Sequence, residues 1–146
     1  MQTKYWIIVA SKDHAERGIK AGAVQANHGK AAPLKRMKAN DWVLIYSSKK
    51  HYDKDDKLQK FVAIGQVKDE QVYQFEMGAN FKPYRRNMVW HDCEEVSILP
   101  LIGQLEFIEN KKQWGYPFRY GFFEIDEKDF NTINSHMLKY ESANKQ

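Results

Sequence analysis

The segment FVAIGQVKDEQVYQFEM, Phe61–Met77, holds two β-rich runs, FVAIGQV and QVYQFEM, separated by the polar triplet Lys68-Asp69-Glu70. Both runs carry the β-branched and aromatic residues that fill a pleated surface. Parallel strands need a crossover of a dozen or more residues, so a triplet connection predicts an antiparallel hairpin. Upstream, WVLIYSS (Trp42–Ser48) is a strand entered through an Asn40-Asp41 turn, and KYWIIVA (Lys4–Ala10) is a buried strand. Downstream, YRRNMVWH (Tyr84–His91) follows Pro83, and FRYGFFEI (Phe118–Ile125) is the last strand.

The helical signals are fewer. SKDHAERG opens a short helix, with Asp13 as N-cap and Glu16 completing a capping box. GKAAPLKRM runs from a loop into a helical turn with Pro33 near its first position. LPLIGQLEFI is a short helix starting near Pro100. DEKDFNTINSHMLKY closes the domain as an amphipathic helix: Asp126 caps it, and Phe130, Ile133 and Met137 share one face. KKHYDKDDKLQK reads as a charged, solvated loop. Strands outnumber helices and their connections are short. The expected fold is an α+β domain on a mixed, mainly antiparallel, barrel-like sheet.

The chain of 146 residues fits one domain, with its core at about residues 4–140, able to bury roughly 70% of its unfolded surface. No apolar run is long enough to span a membrane, and Met1-Gln2-Thr3-Lys4 leads straight into a strand, so neither a leader nor a membrane partner is expected. The single cysteine, Cys93, excludes an internal disulfide and suits a reducing cytoplasm. The net charge of +4 permits a polyanionic partner without requiring one. Aromatic residues make up 14% of the chain, including four Trp and eight Tyr, more than a core of this size needs. The surplus points to a pocket for a planar ligand.

QANHGKAAPLKRM (Gln25–Met37) has the look of a phosphate loop but fails the test. Counting back from Gly29 puts Val24 where the first glycine belongs, and Ala31 stands where a hydroxyl would bind magnesium. No histidines lie at helical i, i+4 spacing, so neither a metal nor another cofactor is expected. HDC (His91–Cys93) fits a half-buried structural thiol better than a nucleophile, and DKDD (Asp53–Asp56) is flanked by lysines and solvated. With no nucleophile elbow and no convincing carboxylate pair, the chain is not expected to be an enzyme.

Cations interleaved with rings carry more. YRRNMVWH puts Arg85 and Arg86 on opposite strand faces, with Trp90 on the side of Arg86. WGYPFRYG packs Trp114, Tyr116, Phe118, Arg119 and Tyr120 among glycines, and Gly121 marks a close approach by a ligand or another backbone. Trp6 and Trp42, inside apolar runs, belong to the core. Trp114 lies in a loop-like setting and is a pocket candidate.

YWIIVAS, HGKAAPLKRMKANDWVLIYSS, FVAIGQV, YRR and WGYPFRYGFFEID..DF, in this order from Tyr5 to Met137, resemble the EVE domain of the PUA-like superfamily. The resemblance implies a PUA-like β-barrel with flanking helices, related to YTH readers of methylated adenine. It also implies nucleic-acid binding, RNA or DNA, with modified bases in a central pocket. Around that pocket it places Ser11, Gly29, Lys30, Tyr46, Ser47, Arg85, Arg86, Trp114 and Arg119. The chain departs from the family pattern at Ser48, where proline is usual, and at Asn40, where glycine is usual. The function expected is a non-catalytic reader of one flipped, modified nucleobase. The alternatives are an enzyme acting on a nucleotide or nucleic acid, with Cys93 or a carboxylate at work, and a pocket for a small anionic metabolite. Oligomeric state is left open.

Overall fold

The computed structural model describes residues 2–78 and 80–138. Seven strands form one sheet: β1 (Tyr5–Val9), β2 (Ala23–Val24), β3 (Trp42–Lys49), β4 (Lys57–Gln74), β5 (Tyr84–His91), β6 (Val96–Ser97) and β7 (Phe122–Ile125). The order is β2-β5-β4-β3-β1-β7, with β6 paired to β4 off this path. Only β1 and β3 run parallel; every other pair is antiparallel. The sheet is mixed and mainly antiparallel as expected, but β2 and β7 do not pair, so it is not closed into a barrel.

The segment Phe61–Met77 is not a hairpin. Lys57–Gln74 is one continuous strand of 18 residues, and Lys68-Asp69-Glu70 falls in a bulge between Val67 and Val72. The partner strand explains this. β5 pairs Met88 with Val67 and Arg86 with Val72, and Arg86 donates into the bulge, to the Asp69 carbonyl. Asn87 Nδ2 donates to the Asp69 carboxylate at 3.1 Å. Polar triplets suit bulges as well as turns, and sequence alone does not separate the two. Two further register shifts in the β3–β4 ladder help bend the long strand.

The apolar runs of β1 and β3 are buried on both faces, which is why they read as continuous rather than alternating. Ile7, Leu44 and Tyr46 enter one core cluster with Leu101, Leu105, Phe130 and Ile133. Trp6, Ile8, Val43 and Ile45 enter the other with Ala15, Leu34 and Met37. The first cluster is covered by α3 (Glu127–Asn134) and the 3-10 turn Leu99–Gln104, the second by α1 (Lys12–Ala21) and α2 (Ala31–Lys35). Asp41, 2% exposed, ties the parallel pair together by accepting from Lys4 N, Trp6 Nε1 and Lys38 N at 2.9–3.0 Å.

Other boundaries moved. Ser11, not Asp13, occupies the N-cap of α1, and Asp13 stands in its first turn. The first three residues of FRYGFFEI, at 118–120, end a 3-10 turn that begins at Tyr116, and Gly121 at φ +74° separates it from β7. Pro117 and that left-handed residue prevent a strand through the whole segment. Asp126 caps α3 as expected, accepting from Asp129 N at 3.1 Å, but the helix ends at Asn134. The end of the expected helix, at 139–140, lies outside the described residues. Asn40, at φ +76°, takes the left-handed turn that glycine would supply.

Candidate functional site

Two cavities adjoin at the carboxyl ends of the parallel pair β1 and β3, and Val9, Ser48, Phe118 and Arg119 line both. The larger has a volume of about 700 Å³, within the range of small-molecule sites. Its floor is the second core cluster: Ile8, Ala15, Val24, Ala26 and Ile45. Val24 belongs to one edge strand of the open sheet, and Gly121 immediately precedes the other. The cavity therefore occupies the seam that a closed barrel would have sealed.

The seam is held by an unusual turn. Asn27, His28 and Gly29 are consecutive left-handed residues at φ 47°, 61° and 83°, and the amides of Gly29 and Lys30 both donate to Ala26 O. A Cβ on Gly121 would come 2.3 Å from Asn27 Oδ1 where the two edges meet, and its φ of +74° favours glycine there. A residue such as His28 costs about 1–2 kcal/mol in this conformation, and such strain concentrates at ligand sites.

On the rim, His14 stacks on Tyr52 at 4.8 Å, and Lys49 Nζ donates to Tyr52 O at 2.7 Å. Asp13 lies behind them. Burial acts to raise its pKa, but hydrogen bonds from Ser11, Tyr52 N and His14 N outweigh it and hold the carboxyl below its ordinary range. Arg85, half-buried, rests 3.9 Å over the Phe75 ring. Arg17, Lys49, Arg85 and Arg119 all line the larger cavity. Among the described residues no Asp or Glu lines either cavity, although the chain contains 19 of them.

The smaller cavity, about 430 Å³, lies against the first core cluster. Its walls include Tyr46, Phe118 and Trp114, with Phe118 stacked on Tyr46 at 4.1 Å and edge-on to Trp114 at 6.4 Å. Burial pushes the Tyr46 phenol well above its ordinary pKa, so it stays protonated. Gln59, Lys112 and Gln113 supply polar groups.

The residues singled out in the sequence divide into groups. Ser11, Arg85 and Arg119 line the larger cavity; Tyr46, Trp114 and Arg119 line the smaller. Ser47 is buried between strands, its hydroxyl donating to Ala10 O at 2.6 Å. Arg86, 1% exposed, points away from both cavities and donates to Leu34 O, Met37 O and Asp69 O. Gly29 makes its close approach to Pro83, whose Cβ would lie 2.4 Å from an added methyl. Lys30 is exposed at the N-cap of α2 and lines neither cavity. Sequence reasoning missed His14, Asn27 and Tyr52. Tyr52 arrives from the loop read as merely solvated, and no local pattern announces it.

Among the described residues no cluster of His, Cys, Asp and Glu is arranged to hold a metal. Cys93 faces Val62 O at 4.0 Å while His91 Nε2 contacts Gln66 Oε1 at 3.1 Å, so the two side chains look to different partners. Burial pushes the Cys93 thiol up, against the lowering effect of a backbone hydrogen bond at Ile64 and with smaller help from the carboxylates of Glu95, Asp92 and Glu94, which disfavours the thiolate. No helix among the described residues is long and apolar enough to cross a membrane.

An open, mainly antiparallel sheet with helices on both faces and a basic cleft at its seam defines an α+β domain. The chain belongs to the EVE domain family, whose model matches residues 4–136. It is 48% identical over 133 residues to a UPF0310 protein of Mycolicibacterium vanbaalenii, covering 91% of this chain and 92% of that one. A UPF0310 protein of Mycobacterium avium is 47% identical over 132 residues, with coverages of 90% and 96%. A solved hypothetical protein from Leishmania major shares the fold at a TM-score of 0.59 and 13% identity, covering 92% of this chain and 94% of that one.

Proposed function

We propose that this domain is a non-catalytic nucleic-acid-binding module that takes one modified nucleobase, flipped from its strand, into the larger cavity. The observation that carries the reading is the pairing of an apolar floor with a lining that holds cations and no carboxylate. An uncharged base fits the floor; the phosphates on either side of it match Arg17, Lys49, Arg85 and Arg119. Extruding a base costs a few kcal/mol. One ring stack returns about 1–3 kcal/mol and a bidentate pair a similar amount, so the phosphate contacts supply what remains. Ser11, Gln25, Asn27 and Ser48 are uncharged polar side chains in the lining that a base edge could use, and Tyr52, Phe81 and Phe118 are among its rings. The half-buried Cys93 thiol suits a cytoplasmic setting.

The same cation-only lining favours one rival, a pocket for a small anionic metabolite. Titration against free modified nucleotides and against single-stranded DNA and RNA oligonucleotides carrying the same bases separates the two. The reader requires tighter, salt-sensitive binding of the oligonucleotides. Equal binding of mononucleotide and oligonucleotide would establish the metabolite pocket instead.

A further inference from the structure

The smaller cavity needs its own occupant. We infer that it is the subsite for the adjacent nucleotide of the same strand, with Arg119 gripping the phosphodiester between the two. This rests on the base-binding reading of the larger cavity and extends it.

Contiguity is the first argument. Val9, Ser48, Phe118 and Arg119 line both cavities, so a strand with one base in the larger must leave across this shared rim. Phe118 is buried and clamped by Tyr46 and Trp114, which makes it a fixed partition. Arg119 beside it is exposed, and among the described residues its guanidinium has only the Tyr116 ring for company, at 5.4 Å. Among the described residues it forms no ion pair, so its planar fork is free for a phosphate.

The second argument is the state of the polar groups. Neighbouring lysines show the contrast. Lys111 Nζ is bound to Ile102 O and Leu105 O, at 3.1 and 2.7 Å, and holds its own loop together. The Lys112 ammonium has no such partner among the described residues, and it lines the cavity. The side-chain amides of Gln59 and Gln113 and the indole of half-exposed Trp114 also make no hydrogen bond within the described chain, and all three line the same space. An amide presents the donor and acceptor pair that matches a base edge, and an indole face stacks on any base. A volume of about 430 Å³ is within the range of small-ligand sites and admits one nucleoside.

The probes are single-stranded hexanucleotides with one central 5-methylcytosine or N6-methyladenine, intact or with an abasic site directly 5′ or 3′ of it. For the better-bound modification, one of the two abasic probes should bind about 5- to 150-fold more weakly than the intact one, the loss of a single stack. Trp114→Ala should remove that difference while leaving the abasic probe's affinity unchanged. Gln113→Ala, at an exposed position, should reduce the same difference in part and serves if Trp114→Ala does not fold, whereas Lys112→Ala should weaken the intact and abasic probes alike. Equal binding of all three probes by the unaltered protein would overturn the second subsite and leave the base-binding reading standing. Failure of the intact probes to bind at all would sink both.

Discussion

Arg85 and Arg86 leave β5 on opposite sides. Arg85 lies over Phe75 and lines the larger cavity, whereas Arg86 is buried beneath α2 with its guanidinium on Leu34 O, Met37 O and Asp69 O. Two identical side chains, one residue apart, therefore have separate tasks. One lines the larger cavity and the other closes the bulge of β4.

Arg86→Ala should lower stability by about 3–5 kcal/mol, because three carbonyls, two of them in buried bonds, lose their donor at once. Arg85→Ala should cost only about 0.5–1 kcal/mol, the scale of one cation–π contact, while weakening oligonucleotide binding. Chemical denaturation and anisotropy titration on the same two proteins check this. A stable Arg86→Ala protein with impaired binding would reverse the assignment.

The same pair shows what the sequence discloses. Period-2 alternation puts Arg85 and Arg86 on different faces, but does not say which face is lined by a cleft. That depends on Met77, Phe81 and Ser11, brought together only by the sheet. The apolar runs at Trp6–Val9 and Val43–Tyr46 were legible because burial on both faces needs uninterrupted hydrophobicity. The bulge at Lys68–Gln71 was not, since its cause is a guanidinium from the next strand. The site was only half legible for a similar reason. Trp114 and Arg119 stand out in a ring-rich run, while His14 and Tyr52 become a pair only through a loop closure 38 residues long, the separation of positions 14 and 52.

Two glycines make a controlled comparison. Gly29 combines φ +83° with a prospective Cβ 2.4 Å from Pro83 Cβ, so Gly29→Ala should cost about 2–4 kcal/mol. Gly115 has φ −75° and nothing within 4 Å of its prospective Cβ. Gly115→Ala should be neutral or stabilise by up to about 1 kcal/mol. Thermal unfolding of both reports the difference, and comparable losses would mean that the turn at Gly29 is not held against Pro83.

His28 offers the opposite experiment. Its left-handed backbone is paid for by the surrounding turn, so His28→Gly should raise stability by about 0.5–1 kcal/mol, after allowing for the added freedom of the unfolded chain. Denaturant midpoints measure it. A destabilised His28→Gly protein would show that the imidazole makes compensating contacts.

The Cys93 thiol should titrate above its ordinary range, because burial disfavours the thiolate and three neighbouring carboxylates add to the effect. Its native pKa exceeds its unfolded one. The stability contribution is therefore complete below the unfolded thiol pKa and is lost as pH rises through the native value. Alkylation by iodoacetamide at pH 8 should run slower in the folded protein than in urea, and Cys93→Ser should leave oligonucleotide affinity unchanged. Rapid native alkylation, or nucleotide turnover abolished by Cys93→Ser, would return catalysis to consideration.

Salt tests which cations meet phosphate. For single strands, log K falls with log salt by about 0.7 per contact, so three contacts imply roughly a twentyfold loss of affinity between 50 and 200 mM salt. Arg119→Gln should make the slope shallower by about 0.7, because Arg119 lines both cavities and forms no ion pair among the described residues. Lys112→Gln should do the same for an oligonucleotide long enough to reach the smaller cavity, and nothing for a free nucleotide. Lys30→Gln is the control: the residue is exposed but lines neither cavity, so it should change affinity slightly and the slope by well under one contact. Arg86 is unsuitable for this purpose, since its removal unfolds the bulge before it touches a ligand. Anisotropy titrations at four salt concentrations give each slope directly. If Lys30→Gln flattens the slope as much as Arg119→Gln does, the strand runs over the turn at Gly29 and away from the rim shared by the two cavities.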